Sequence, residues 1–259
     1  MSPLLFTPVA GDEISYRGEI CTFIQHPGAA EGKALCEAGK RAKVYPLRVN
    51  GEIKYAIKVF KPLFRTQEIY KKDIEIQMLL RNKYQSHLPP NNHHNIGLTV
   101  AKRGVINQIE DSNLIQEQPG LEYCIVMPWI NGDKWSDYLM TQKSLSKKQC
   151  MTLARNICSV LVNLEEKKMA HCDISGENLI FQWDPERESY KIELIDIEEI
   201  YGPGLSVPTA LPAGSPGYSP EWVKNTGLWS EAADRFATGI LLPQIVAWQS
   251  EIVRETRYE

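Results

Sequence analysis

Two kinds of hydrophobic spacing divide the chain. In the first part, apolar and polar residues alternate or gather in short β-branched and aromatic runs, so that "EISYRGEICTFIQ", "KALCE", "KVYPLRV" and "EIKYAIKVF" all have the spacing of strands. Asn50-Gly51 separates the last two and predicts a tight hairpin, because both residue types tolerate positive φ. The period then lengthens. From Thr66, a candidate N-cap, to about Lys83, apolar residues fall at Ile69, Ile76, Leu79 and Leu80, one face of a helix. The prolines and asparagines of "SHLPPNNHHN" end it, and "IGLTVAKRGVI" and "EYCIVMPWI" return to strand-like spacing.

The second half is mainly helical. Ser146 to Lys168 carries Leu153, Ile157, Val160, Leu161 and Leu164 at helical spacing, followed by two short strands, "NLIFQW" and "KIELIDI". A loop rich in Gly and Pro runs from Tyr201 to Pro220, and a last helix is expected from about Ala232 to Trp248. A small sheet with one helix, then a helical part, is an α+β pattern with two lobes and a ligand cleft between them, hinged near "PWINGDKW".

Composition narrows this picture without redirecting it. With 43% hydrophobic and 24% charged residues in 259, the chain is globular, and 29 Lys and Arg against 32 Asp and Glu leave no basic footprint for nucleic acid or an anionic membrane. No signal-like start and no run of roughly 18 apolar residues is present, so a cytoplasmic protein is expected. The six cysteines, Cys21, Cys36, Cys124, Cys150, Cys158 and Cys172, form no CxxC pair and read as buried free thiols of a reducing compartment.

Candidate chemistry lies in a few polar residues set among apolar ones. Lys58 sits inside "YAIKVF", where an unpaired ammonium would be costly, so a partner is demanded. Glu68 and Glu75 on the following helix are the candidates. Glu75 is preferred, because the chain between leaves room for a strand end, a loop and two helical turns. Downstream, "HCDISGEN" groups His171, Asp173 and Asn178, and "LIDIEE" adds Asp196 at the end of a strand-like run. Phosphoryl transfer needs a cation on the phosphates, oxygen ligands for a metal and a carboxylate to receive a hydroxyl proton, and the chain supplies these types in that order.

Together these segments resemble the protein kinase superfamily, and most closely a bacterial version of the eukaryotic-type Ser/Thr kinases. "YAIKVF" resembles the third-strand motif, "HCDISGEN" the H-R-D-x-x-x-x-N catalytic loop and "LIDIEE" the D-F-G segment. The resemblance implies a kinase-like small lobe over 33–130, a large lobe over 131–259 that is incomplete, and an added strand pair in an extension over 1–32. It implies ATP and magnesium, with Lys58 and Glu75 orienting ATP, Asp173 positioning the substrate hydroxyl, Asn178 and Asp196 holding the metal, and His171 bracing the loop. Gly39 and Val44 of "EAGKRAKV", Ala56, Met127, Pro128 and Ile130 would line the nucleotide site. Glu221 of "GSPGYSPEW" and Asp234 of "EAADRFATG" take structural positions of the large lobe. A protein would be the substrate, and further domains of a longer chain are compatible with the pattern.

Several positions depart from the family. Cys172 replaces the Arg that answers activation-loop phosphorylation. Ser175 stands where Ser/Thr kinases carry Lys, as in the RIO-type atypical kinases, and Ile197-Glu198 replaces Phe-Gly. The glycine loop keeps one glycine, Gly39. Two alternatives to a protein kinase therefore stand beside it: a nucleotide-binding pseudokinase or regulatory module, and a kinase-fold phosphotransferase for small molecules.

Overall fold

A computed structural model describes residues 6–84 and 98–256. The expected break "SHLPPNNHHN" lies outside the described residues. The chain divides into two compact units, Met1–Ile74 with Val100–Trp129 and Glu75–Thr99 with Ile130–Glu259.

The first unit is built on an antiparallel sheet. Its strands are β1 (Glu13–Tyr16), β2 (Glu19–Phe23), β3 (Glu37–Ala38), β4 (Ala42–Val49), β5 (Glu52–Phe60), β6 (Gly104–Val105) and β7 (Ile125–Pro128). Their order is β1-β2-β4-β5-β7-β6, with β3 paired to β4. Strands β1 and β2, expected as part of an extension over 1–32, thus belong to the same sheet as the hairpin that carries Lys58. Asn50 and Gly51 join β4 to β5 with φ of 50° and 90°, the doubly positive backbone that an Asn-Gly turn supplies at low strain. "KALCE" does not form a strand. Isolated bridges Val9↔Lys33 and Gln25↔Ala34 hold its backbone, and regular pairing resumes only at Glu37.

Register sorts the side chains of this sheet into two faces. Tyr45, Leu47, Ile57, Val59 and Val126 enter the main core with Ile14, Phe23, Ile106 and Leu121. Opposite residues of an antiparallel ladder share a face, so the pairs Val44↔Lys58 and Ala56↔Met127 place all four on the other one. Part of that face is closed by apolar packing of Ala42, Phe60, Val105 and Ile125 with Ile69 and Tyr70 of helix α1 (Gln67–Tyr84). Helix α2 (Ser112–Glu117), absent from the sequence expectation, buries Leu114 and Ile115 in the main core; among the described residues of "IGLTVAKRGVI", expected as a strand, only Gly104–Val105 form one.

Besides the end of α1, the second unit contains β8 (Asp133–Lys134) and α3 (Trp135–Thr141), then α4 (Lys147–Glu166). Ser146 caps α4: its hydroxyl accepts from the Gln149 amide at 3.2 Å while Gln149 Oε1 accepts from the Ser146 amide at 3.0 Å. Cys150, Leu153, Ile157, Val160, Leu161 and Leu164 form the buried stripe of α4. Strands β9 (Leu179–Asp184) and β10 (Ser189–Leu194) complete a three-stranded sheet, β10-β9-β8. The chain continues through α5 (Val223–Thr226), α6 (Arg235–Ala247) and α7 (Glu251–Glu255). Trp135 and Trp248, both almost fully buried, meet edge to face at 5.4 Å. All six cysteines are free, but only Cys21, Cys124, Cys150 and Cys172 are buried; Cys36 and Cys158 are half-buried, against the sequence expectation.

Candidate active site

The sequence-derived residues fall into a sheet face in the first unit and a loop in the second. On the sheet face, Lys58 is buried at 8% exposure, with its ammonium 5.6 Å from the centroid of the Phe60 ring. Ala56 and Met127 are buried beside it and Val44 is half-buried, so the ammonium has apolar neighbours along both adjoining strands. Pro128 ends β7 opposite Tyr55, and the next amide, Trp129, donates to the Lys54 carbonyl at 3.0 Å. Gly39 stands in the exposed turn between β3 and β4, where its amide donates to the Ala42 carbonyl at 2.8 Å. That bond commits a backbone donor to the turn itself.

A buried ion pair in this unit was not foreseen. Asp73 on α1 accepts from Arg103 Nε at 2.7 Å, with side-chain exposures of 7% and 1%. Burial at this depth requires pairing, since either charge alone would be strongly destabilising. A single Asp on a helix gives no sequence signal of this, because the partner is set by the tertiary fold.

In the second unit, the loop of Ala170 to Asn178 is fixed from below and from both ends. Its start is bridged to Tyr201, and the Asp234 carboxylate accepts from the backbone amides of His171 at 2.6 Å and Cys172 at 2.8 Å. Burial pushes the Asp234 carboxyl upward in pKa; nearby His171 and the two amide donors oppose that push. His171 is fully buried, and its Nε2 donates to the Ile195 carbonyl at 2.7 Å, since a carbonyl can only accept. Cys172 has φ of 64°, and its side chain packs with Ala170, Ala233, Tyr201, Leu228 and Trp229. Where the family carries an Arg, this chain places a small apolar filler in a greasy cluster.

Asp173 is gripped at both carboxylate oxygens. Ser215 Oγ donates to Oδ1 at 2.7 Å, and Asn178 Nδ2 donates to Oδ2 at 2.9 Å and to the Asp173 carbonyl at 2.8 Å. Both partners of the Asn178 amide can only accept, so its nitrogen must face Asp173 and its oxygen is left for another ligand. The Ile195 amide donates to the Asn178 carbonyl at 3.1 Å, which brings the next residue, Asp196, alongside the end of the loop. Asp196 has φ of 62° and Cys172, just before Asp173, has φ of 64°, so two non-glycine residues of this region have left-handed backbone. Such conformations cost about 1–3 kcal/mol each and persist where the surrounding structure enforces them.

The remaining loop residues pack tightly. Ser175 is 2% exposed and its hydroxyl has no partner among the described residues, and a Cβ at Gly176 would lie 3.2 Å from both Trp135 Cδ1 and the Tyr218 hydroxyl. Glu221 is exposed at the end of the Gly/Pro-rich loop. Glu75, half-buried on α1, accepts from the Ser206 amide at 3.1 Å and from Ser206 Oγ at 2.9 Å. Ser206 and Ser215 escaped the sequence reading. The only available signal was the position of Ser215 directly after Gly214 in "GSPGYSPEW", which reads equally as a turn.

The donor set suits a hard divalent cation that keeps most of its shell for water and phosphate. One carboxylate, Asp196, and one amide oxygen, Asn178, follow one another at the loop end, and such an ion needs only one or two protein ligands. Among the described residues no group of three or more His, Cys, Asp or Glu side chains is arranged to enclose a metal, so a dedicated all-protein cage is not what this site offers.

A probable myosin light chain kinase from Dictyostelium discoideum is 25% identical over 117 residues, which is 45% of this chain and 33% of that protein. The match thus spans about a third of the relative's length. The model of the family described as protein kinase domain matches residues 38–257, from β3 through α7, and the chain belongs to that family.

Proposed function

We propose that this chain is a magnesium- and ATP-dependent protein kinase that transfers the γ-phosphoryl group to Ser or Thr hydroxyls. The observation that carries this reading is the hold on Asp173: one hydrogen bond on each carboxylate oxygen, over a loop whose backbone is tied to buried Asp234. A carboxylate fixed in this way keeps lone pairs free and aimed, as needed to receive a hydroxyl proton. Asp173 orients the substrate hydroxyl and takes its proton. Lys58 neutralises phosphate charge, and Glu75 orients Lys58. Ser215 fixes the rotation of the Asp173 carboxylate.

Asn178 Oδ1 and Asp196 would hold magnesium, which when bound offsets charge on the transferring phosphate. Val44, Ala56 and Met127 offer an apolar surface for the base, with Pro128 and Ile130 offering backbone groups at its rim. The physical reason for the assignment of Asn178 is its orientation, because its nitrogen is spent on Asp173.

A thermal-shift titration tests the nucleotide site directly. ATP with magnesium should raise the melting temperature in a concentration-dependent way, and Asp196→Ala or Asn178→Ala should reduce the magnesium-dependent part. Equal shifts with and without magnesium in all three proteins would defeat the metal assignment. A second reading, a pseudokinase that binds nucleotide without turnover, draws on the Gly39 amide spent inside its own turn and on Glu75 engaged by Ser206. It predicts the thermal shift without phosphate transfer.

A further inference from the structure

Strand β6 is short, and its two sides meet different neighbours. Side chains alternate along extended backbone, so Arg103, just before the strand, and Val105 take one side and Gly104 the other. On the first side, Val105 packs with Ile69 and Tyr70 of α1, and Arg103 Nε donates to Asp73 of the same helix at 2.7 Å. On the second, Gly104 lies against the β1–β2 hairpin. A Cβ there would come within 2.7 Å of the Arg17 guanidinium and 3.0 Å of the Tyr16 hydroxyl, so the close approach needs glycine. Tyr16 is buried, and Arg17, at the turn with φ of 49°, holds its guanidinium 5.1 Å from the centroid of the Tyr16 ring. The hairpin also grips β5, the strand that carries Lys58. Glu19 accepts from the Tyr55 hydroxyl at 2.6 Å, and the Tyr16 and Tyr55 rings meet edge to face at 5.9 Å.

We propose that this hairpin, which precedes the protein kinase domain of the chain, is a positioning element for α1, acting through Tyr16, Gly104, Arg103 and Asp73 in turn. The proposal rests on the roles given above to Lys58 and Glu75. Tyr16 is fixed between Tyr55 and Gly104, and close-packed interiors yield little, so a displacement at Gly104 passes along the backbone to Arg103. The Arg103–Asp73 pair is buried on both sides, and a buried pair is stable only in good geometry, so Asp73 and its helix follow Arg103. Asp73 stands two residues before Glu75 on α1. Tyr16 and Arg103 are thus positioning residues. They act on Lys58 through the helix that carries its assigned partner, while Glu19 and Tyr55 fix the hairpin to the Lys58 strand itself.

The test compares the full chain with Gly104→Ala, with the triple variant Gly104→Ala, Tyr16→Phe, Arg17→Ala, and with Glu75→Gln. The readouts are amide hydrogen exchange of α1, and KM for ATP against kcat in phosphate transfer. Gly104→Ala sets a methyl group against the hairpin and should quicken exchange of α1 about fivefold and raise KM for ATP about fivefold, with kcat changed by less than about twofold. Tyr16→Phe and Arg17→Ala remove the atoms that the methyl group meets, so the triple variant should recover most of both effects. A hairpin that only adds stability would leave α1 exchange and KM where they are. Unchanged exchange of α1 in Gly104→Ala, or faster exchange that the triple variant does not recover, overturns the proposal; so does an unchanged KM while Glu75→Gln raises it. If Glu75→Gln leaves KM unchanged, or wild type transfers no phosphate, the assigned role or the kinase reading fails by itself. Exchange then decides the hold of the hairpin on α1, recovery in the triple variant supporting it and the two exchange outcomes above overturning it.

Discussion

The loop of Ala170 to Asn178 and the turn between β3 and β4 offer an instructive contrast. In the loop, His171, Cys172, Ile174, Ser175 and Asn178 are buried, and hydrogen bonds to Asp234, Ile195 and Ser215 arrive from three other segments. In the turn, Glu37 to Arg41 are all exposed, held by the Gly39–Ala42 bond, by β3–β4 pairing and by Lys61, whose Nζ donates to the Lys40 carbonyl at 2.7 Å and whose amide donates to the Arg41 carbonyl at 2.9 Å. Long-range hydrogen bonds inside a protein fix a geometry, whereas a short exposed turn leaves it adjustable. The chain is tied by many bonds around Asp173, the residue proposed to receive a proton, and by few around Gly39.

Mutations can break this contrast at graded strength. The largest stability loss is expected from Asp234→Ala, which strands the buried amides of His171 and Cys172 and should lower stability by about 2–5 kcal/mol in urea unfolding. If it loses less than about 1 kcal/mol, the loop is not held from below. Asp234 also carries a pH signature. Burial raises its folded pKa above the unfolded value, so the stability it contributes is full below the unfolded value and is lost as pH rises through the raised one. Asp234→Asn should flatten that part of the stability–pH curve, whatever its effect on absolute stability.

Ser215→Ala comes next. Loss of one bond to Asp173 should cost about 1 kcal/mol of stability and slow transfer by roughly tenfold in kcat with KM for ATP little changed. A KM effect alone would move Ser215 from positioning Asp173 to binding. Gly39→Ala should do least: a Cβ would meet the Ala42 carbonyl at 3.3 Å in an exposed turn, and stability should shift by about 0.5 kcal/mol or less. A loss as large as that of Asp234→Ala would erase the contrast.

Thiol labelling of the native protein sharpens the same distinction between buried and accessible chemistry. Cys36 and Cys158 should react first, because they are half-buried. Burial pushes the Cys21 thiol up to about 11 and that of Cys124 up to about 12, so thiolate is scarce at neutral pH and both should react only on unfolding.

How much of this was legible in the sequence depends on the range of the interactions. Local signals held: Asn50-Gly51 makes the doubly positive turn, and the helix expected from Ser146 to Lys168 is α4, Lys147–Glu166. Short apolar runs were less informative. "KALCE" has strand-like alternation, yet Lys33 and Ala34 find only isolated bridges and regular pairing starts at its last residue, Glu37, since a strand exists only where a neighbour offers its edge. Among the candidate residues, Lys58, Asp173, Asn178 and Asp196 were found from their residue types, their order and the family resemblance of the segments that carry them. The bonds from Ser215 to Asp173, Ser206 to Glu75 and Arg103 to Asp73 could not be found in this way, for each joins residues at least 30 positions apart through tertiary packing.

The most direct test is transfer of labelled phosphate from ATP, with magnesium, to the protein itself and to a generic Ser/Thr substrate, comparing wild type with Asp173→Asn. Wild type should transfer, and Asp173→Asn, which preserves shape but not the base, should fall by roughly 10²–10⁴-fold. Equal rates in the two proteins, or ATP binding with no transfer by wild type, would contradict the assignment of Asp173.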